Sequence, residues 1–248
     1  MNEYCRYLKS DIYKLRHSCF FAVHLLLPVL GAALMLLYSL ISSDSGLSKL
    51  SAFTQILAIV FPFVISIVCQ VVAEQELQAG HFQNMLTLKS RQKAVFSKLA
   101  ILLLSGLFSA TFVTVLFGAA YSYITETKLP AGFFVFIPIV LWGSNVMIYG
   151  LHLILAFYFG RTFGIGIGVM GSLLSALLQT GLGAGIWYVI PYGLGVRFAD
   201  AALTYLFHFP SVANPEILTG IIFCITVTCG IIGLTAFWFS RYGGTYSK

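Results

Sequence analysis

Long stretches without a charged residue alternate along the chain with short stretches that carry the charge. A helix that crosses the hydrocarbon core of a bilayer needs roughly 20 apolar residues, and each stretch is long enough to supply them. None shows the short, alternating pattern of a membrane β-strand. The pattern therefore predicts one all-α transmembrane domain over residues 1–248, with six transmembrane helices that lie within 20–41, 50–73, 99–125, 129–160, 162–196 and 217–240.

The first 18 residues, which precede the first span, have the pattern of an amphipathic helix. Arg6, Lys9 and Arg16 lie on one side of this helix, and apolar side chains occupy the opposite face. The pattern predicts an interfacial helix over residues 1–18 on the inner leaflet, and a solvated basic tail is the alternative. The apolar positions are Tyr4, Leu8, Ile12 and Leu15.

Residues 74–93 form the long connection between the second and third spans. Phe82, Met85 and Leu86 recur in it at helical spacing, which predicts a short amphipathic helix outside the membrane. The pattern predicts that this apolar stripe is exposed, which favours docking of a soluble partner. Packing of the stripe back onto the lipid surface is the alternative.

The fifth uncharged stretch is longer than one span requires, so the helix must end inside it. Several glycines from Gly181 onward, together with Pro191, predict that end near residues 180–185. Residues 186–216 are then an extracellular segment, which lies at the membrane interface or re-enters the membrane. Its amphipathic and helix-breaking positions are Trp187, Tyr188, Pro191 and Tyr192.

A further short interfacial helix is predicted later in the extracellular segment from an apolar stripe. Asn214, Pro215 and Glu216 then have the pattern of a cap, a first-turn proline and an acidic first turn for the last span. The stripe consists of Phe198, Ala202, Leu206 and Phe209.

Only 9% of the residues are charged and 59% are hydrophobic, which excludes a soluble domain. The formal net charge is +6, but its distribution marks membrane orientation and gives no support for nucleic-acid binding. The positive-inside rule predicts that both termini are cytoplasmic (N-in, C-in), because the opposite orientation would invert the excess. Of the 14 basic residues, this topology places Lys49, Lys128 and Arg197 outside, and inside it places Arg6, Lys9, Lys14, Arg16, Lys89, Arg91, Lys93, Lys98, Arg161, Arg241 and Lys248.

Small residues recur at every fourth position along the fifth span and form one smooth face. This spacing lets two helices approach closely, so the face is assigned to helix packing in preference to ligand contact. Its members are Gly160, Gly164, Gly168, Ser172 and Ala176.

Asn145, Tyr149 and His152 fall on one face of the fourth span, at spacings of four and three residues. Polar residues in lipid are costly and often functional, so these three are candidates for substrate contact. Hydrogen bonds between helices are the alternative and the favoured interpretation.

The sequence gives no support for catalysis or metal binding. It contains no GxxxxGK[ST] motif, so neither ATP hydrolysis nor a bound cofactor is expected on this chain. Glu74, Glu76 and His81 lack the spacing of metal ligands such as HExxH, and the five cysteines form no CxxC pair. A membrane-embedded protease and a non-transporting membrane scaffold are two hypotheses for such a chain.

The sequence from the second to the third span resembles permeases of ABC-2 type transporters. The similar pattern consists of acidic residues at the end of the second span, then Gly80, an amphipathic stretch, and SerLys at 97–98. Three further sequences are similar to the permease subunits of lantibiotic self-protection transporters. They are DIYKLRHS at 11–18, HLLLPVLG at 24–31 and WYVIPY at 187–192. The resemblance in length and number of spans extends over nearly the whole chain.

The resemblance implies that residues 74–93 are a coupling helix for a separate ABC ATPase, present in two copies, which binds ATP and Mg²⁺. It also implies a second homologous permease, a lantibiotic peptide as substrate, and a place in the bacterial cytoplasmic membrane. Another amphipathic substrate is the alternative. The coupling positions it implies are Glu74, Glu76, Gly80, His81, Phe82, Met85 and Leu86.

Overall fold

The computed structural model describes residues 3–88, 90–208 and 215–244, and these ranges contain helices and no strand. The all-α prediction is confirmed over them. Phe209 and Asn214, for which a helix stripe and a cap were predicted, lie outside the described residues. The helices are α1 Glu3–Arg16, α2 Phe20–Ile41, α3 Gly46–Gln78, α4 Gln83–Leu86, α5 Arg91–Thr125, α6 Ala131–Ser144, α7 Val146–Phe159, α8 Arg161–Gln179, α9 Pro191–His208 and α10 Pro215–Arg241, with 3-10 turns at Gly181–Gly183 and Trp187–Val189.

Within the described ranges, five helices are long and apolar enough to cross a membrane: α2, α3, α5, α8 and α10. α6 and α7 pass the same test only as a pair, and they are bent by 41° relative to each other. Counted as one bent span, the pair brings the number to the predicted six. The sidedness of the spans and the interfacial position of α1 stay predictions.

Asn145 lies at the break between α6 and α7, where a side-chain hydrogen bond replaces a main-chain one. Its backbone N–H donates to the carbonyl of Trp142 at 3.1 Å, whereas in a regular α-helix it would donate to Leu141. Its side-chain Nδ2 donates to the Leu141 carbonyl at 2.8 Å. The Leu141 carbonyl is therefore paired, which matters because an unpaired carbonyl in lipid is costly.

α8 packs against α3 through its small residues. A Cβ at Gly168 would overlap the Ser66 hydroxyl of α3, and a Cβ at Gly164 would lie 3.0 Å from Oε1 of Gln70. The absence of a side chain at these two positions thus permits the close approach.

The buried face of α8 departs from the predicted line of every fourth residue. Ser172 and Ala176 are only half-buried, and Gly160 joins α7 to α8 with φ +79°. Because an α-helix has 3.6 residues per turn, a strict four-residue repeat rotates away from a partner, whereas alternating steps of four and three stay in contact. The buried positions follow the second rule and are Gly164, Gly168, Gly171, Ser175 and Leu178.

The segment after α8, for which an extracellular position is predicted, contains a longer and more deeply packed helix than the sequence predicts. α8 ends at Gln179, which confirms the predicted end of the fifth span to within a few residues. α9 then begins at Pro191 and contacts α3, α6 and α8. These three helices enclose α9 on more than one side, and they do not centre on the predicted stripe. The side chains of that stripe, Phe198, Ala202 and Leu206, are only half-buried. The side chains buried instead are Leu194, Val196, Ala199 and Leu203.

Candidate functional site

The connection after α3 reverses the chain within three residues, and we call residues 80–87 the inner turn. Gly80, His81 and Phe82 have φ values of 125°, 49° and 66°. His81 N–H donates to the carbonyl of Leu77 at 2.7 Å, and Phe82 N–H donates to that of Glu76 at 3.1 Å. Left-handed backbone is unfavourable for residues with a Cβ, so surrounding contacts must hold His81 and Phe82 in place. The predicted amphipathic helix is therefore a single turn, α4.

The expectation that Phe82 and Met85 form an exposed apolar stripe is wrong. Each is 1% exposed, because the reversal directs both side chains back into the helix bundle. The Phe82 ring packs against Phe157 of α7 and Tyr242, with centroid distances of 5.6 and 5.8 Å. The outward surface of the inner turn is polar instead, and the exposed residues among the side chains that the structure describes there are Gly80, His81, Gln83 and Thr87.

The segment that follows α10 closes over the inner turn. The Tyr242 hydroxyl donates to the Phe157 carbonyl at 3.0 Å, and Arg91 Nη1 donates to the Tyr242 carbonyl at 2.9 Å. A Cβ at Gly244 would lie 2.5 Å from Leu86, which is half-buried. The inner turn is thus attached to the ends of α7 and α10.

A buried ion-pair network joins α1, α3 and α5 beside the inner turn. Lys98 Nζ donates to Asp11 Oδ1 at 2.8 Å and to Glu76 Oε1 at 2.7 Å, and Lys14 Nζ donates to the same Glu76 oxygen at 2.8 Å. The side chains of Lys98 and Glu76 are 6% and 1% exposed. The charges of the two carboxylates balance those of the two ammonium groups. The Ser97 hydroxyl also donates a hydrogen bond to Asp11 at 2.7 Å. Buried charge is tolerated here because each group has an opposite charge and hydrogen bonds.

The ion-pair network was missed in the sequence because the packed face of α1 is rotated by about one residue from the predicted stripe. Ile12, placed in that stripe, is 47% exposed, whereas Asp11 is 7% exposed. Asp11 lies between Leu8 and Leu15 at helical spacing, which was the available signal. Burial raises the pKa of Tyr4 on the same helix, and the Asp11 carboxylate adds to that shift.

Trp187 is the aromatic residue that the chain encloses most completely in the outer segment, which we define as residues 186–208. Trp187 is 2% exposed, and its Nε1 donates to Glu216 Oε2 at the start of α10 at 2.8 Å. Its ring packs against Phe198 with a centroid distance of 5.7 Å. Tyr188 and Pro191 are half-buried. Of the predicted substrate contacts in this segment, Trp187 therefore has the least accessible surface.

Tyr192 connects the outer segment to the fourth and fifth spans. Its hydroxyl and Nε2 of His152 are hydrogen-bonded at 3.1 Å, and Ser175 Oγ donates to its carbonyl at 2.6 Å. A Cβ at Gly171 would overlap its ring. A side chain at position 171 would therefore push α9 away from α8, and the predicted small-residue stripe did not include this position.

The three polar residues of the fourth span do not form one site. The Asn145 amide is bonded within its own span, and the Tyr149 hydroxyl lies against Gly106 of α5. Only His152 forms a side-chain hydrogen bond to another helix. Each of the three is at most 3% exposed, so none presents a polar group at the surface.

Residues 7–175, more than half of the chain, match the profile of a family described as ABC-2 family transporter protein. The chain belongs to this family. The matched range contains the ion-pair network, the inner turn and the bent fourth span. No curated protein and no solved structure matches the chain.

As an ABC-2 permease, the chain is a multi-pass membrane transport component and is not itself the ATPase. ABC-2 permeases generally work with an ABC ATPase partner. The described part of this permease holds no group of three or more His, Cys, Asp or Glu side chains placed to bind a metal. Glu74 is paired with Arg161 at 3.3 Å, and Glu76 with Lys14 and Lys98.

Proposed function

We propose that this ABC-2 permease is one of two related permease subunits in a transporter that expels a lantibiotic from the bacterial cytoplasmic membrane. Two copies of a separate ABC ATPase bind ATP and Mg²⁺ and drive the expulsion. Family membership supports the permease role, and the similarity at 11–18, 24–31 and 187–192 supports the substrate class. An exporter of another amphipathic substrate is the competing function with the same architecture.

The observation that carries the proposal is the inner turn, which is polar on its outer surface and fixed to the bundle on its inner surface. His81 and Gln83 are exposed, while Phe82 is enclosed by Phe157 and Tyr242. In the proposed complex, the ATPase docks on the polar surface, and its movement displaces α7 and α10 through Phe82. The ion-pair network transmits the same movement to α1 and α5.

Gln83→Trp tests the docking surface, because it adds bulk to the outer face of the inner turn without entering the core. We expect roughly tenfold less ATPase to co-purify with the permease, while permease abundance in the membrane is unchanged. Thr127→Trp, on the exposed connection between α5 and α6, is the matched control and should leave the complex intact. Normal ATPase co-purification and normal peptide resistance in Gln83→Trp would refute docking at this surface.

The substrate class is tested separately on the wild-type complex in lipid nanodiscs. We expect a lantibiotic to stimulate ATP hydrolysis and to be released from the membrane. Stimulation by another amphipathic molecule and none by lantibiotics would overturn the substrate assignment and leave the permease role in place.

A further inference from the structure

A cavity of about 360 Å³ lies between the N-terminal part of α3 and α9. Polar side chains line one part of it, and Leu47, Ala52 and Leu203 line another. The cavity lies at the start of α3, at the end of the bundle for which the charge distribution predicts an extracellular position. Its polar residues are Ser48, Ser51, Gln55, Asp200 and Thr204.

Asp200 is the one charged residue that lines this cavity. Its Oδ1 accepts a hydrogen bond from Gln55 Nε2 at 3.0 Å, and the same Gln55 nitrogen donates to Ser51 Oγ at 2.9 Å. An ionised carboxylate has about four acceptor positions, so one hydrogen bond leaves most of its capacity unused. Ser51 and Gln55 thus hold the carboxylate in place at the wall of the cavity.

Within the described ranges, Asp200 belongs to none of the ion pairs. Lys49 Nζ donates to the Ser39 carbonyl at 2.8 Å, and Arg197 donates to the carbonyls of Leu178 and Thr180, each at 2.8 Å. The basic side chains of α3 and α9 at this end are therefore engaged elsewhere. Neither Lys49 of α3 nor Arg197 of α9 therefore forms an ion pair with Asp200.

Two other carboxylates at the predicted outer end, Asp44 and Glu216, have shorter hydrogen bonds. Asp44 accepts hydrogen bonds from the hydroxyls of Tyr38 and Ser42, both at 2.6 Å, and these bonds lower its pKa. Glu216 accepts from Trp187 Nε1 at 2.8 Å. Asp200 differs from both, because it faces a cavity and its hydrogen bond from Gln55 is longer, at 3.0 Å.

We propose that this cavity binds a primary ammonium group, with Asp200 as the counter-ion and the serine and threonine hydroxyls as acceptors. An ammonium group donates three hydrogen bonds and needs such oxygen atoms around it. A lysine side chain of a cationic peptide supplies the group, and so does an aminolipid headgroup. The peptide source rests on the proposed function, whereas the ammonium site itself does not.

Asp200→Asn tests the site, because it removes the charge and retains an oxygen for Gln55. The permease–ATPase complex is placed in nanodiscs of phosphatidylcholine, which lacks a primary amine. Binding is measured for a synthetic amphipathic peptide with several lysines and for its twin with every lysine acetylated. We expect Asp200→Asn to weaken binding of the lysine peptide about tenfold and that of the acetylated twin less than twofold.

Asp44→Asn is the matched control, since it removes a carboxylate at the same end that lies outside the cavity. It should leave both affinities within about twofold of wild type. A second series of nanodiscs contains phosphatidylethanolamine. If the lipid headgroup occupies the site, this lipid lowers the affinity of the wild-type complex for the lysine peptide and leaves Asp200→Asn unchanged.

Equal binding of the lysine peptide to wild type and to Asp200→Asn, without an effect of phosphatidylethanolamine, would overturn the proposal. A loss of the same size for both peptides would also overturn it, because it would show a structural role for Asp200. Lantibiotic-stimulated ATP hydrolysis of the wild-type complex reports on the proposed function independently. Either hypothesis can thus fail while the other stands.

Discussion

The inner turn and the outer segment both direct an aromatic side chain back into the bundle, since Phe82 is 1% exposed and Trp187 is 2% exposed. They differ in the groups that hold them. Beside the inner turn, Lys98 bridges Asp11 and Glu76 in a buried network of opposite charges. The outer segment is held by separate hydrogen bonds instead: the Trp187 indole donates to Glu216, the Tyr192 hydroxyl is bonded to His152, and Arg197 donates to two main-chain carbonyls. Loss of Lys98 therefore strands buried charges at the inner end, whereas loss of the Tyr192 hydroxyl at the outer end leaves only the His152 ring without its partner.

The strongest test of this difference is Lys98→Met, which leaves two buried carboxylates with only Lys14 as a partner. We expect the free energy of unfolding to fall by about 3–5 kcal/mol, the usual effect of breaking a buried ion pair. The measurement is denaturant-induced unfolding of the purified permease in detergent micelles, together with its abundance in membranes.

Arg161→Met is the control for Lys98→Met, because it removes an ion pair in which the arginine side chain is 68% exposed. It should change the free energy of unfolding by less than about 1 kcal/mol. Similar effects of the two substitutions would contradict the importance of burial at the inner end.

Gly171→Ala tests how the outer segment packs against α8, because it adds a methyl group at their contact. The added methyl group overlaps the Tyr192 ring, so α9 must shift away from α8. We expect a loss of about 1–3 kcal/mol in the free energy of unfolding and faster proteolysis within residues 186–208. Gly166→Ala on the same helix points into open space and should have little effect. Equal stability of the two variants would show that α9 does not depend on this contact.

Tyr192→Phe is the mildest change, since it keeps the ring and removes only the hydroxyl that is bonded to His152. The expected loss is about 0.5–1.5 kcal/mol, seen as a small decrease in thermal stability. Tyr188→Phe, in the same segment, removes the hydroxyl of a half-buried tyrosine and serves as the comparison. A larger loss for Tyr188→Phe would reverse the assignment of the stabilising bond.

The long uncharged stretches predict the spanning helices because burial in lipid depends on composition and length alone. The reversal at Phe82 does not follow from composition. It depends on three consecutive left-handed residues, of which only Gly80 is a usual choice, and on Phe157 and Tyr242, which come from distant parts of the chain. A stripe at helical spacing has the same pattern whether it is exposed or packed against its own bundle.

The ion-pair network was hidden for a related reason. Asp11, Glu76 and Lys98 lie in three different segments, and each has the appearance of an ordinary charged residue at a membrane edge. Their pairing depends on how α1 packs against α3 and α5, which a single sequence does not reveal. The small-residue face was located on the correct helix, but its direction depended on the partner α3.

The bend at Asn145 gives span four two segments of equal length with different neighbours. α6 contacts α9 of the outer segment, whereas Phe157 of α7 contacts Phe82 of the inner turn. Each segment has 14 residues, which is about 21 Å of helix and less than the thickness of the hydrocarbon core. Because the Leu141 carbonyl is already paired by a side chain, the angle between the segments can change without breaking a regular main-chain hydrogen bond there. In the proposed coupling movement, the unit that would tilt with the inner turn is therefore half a span.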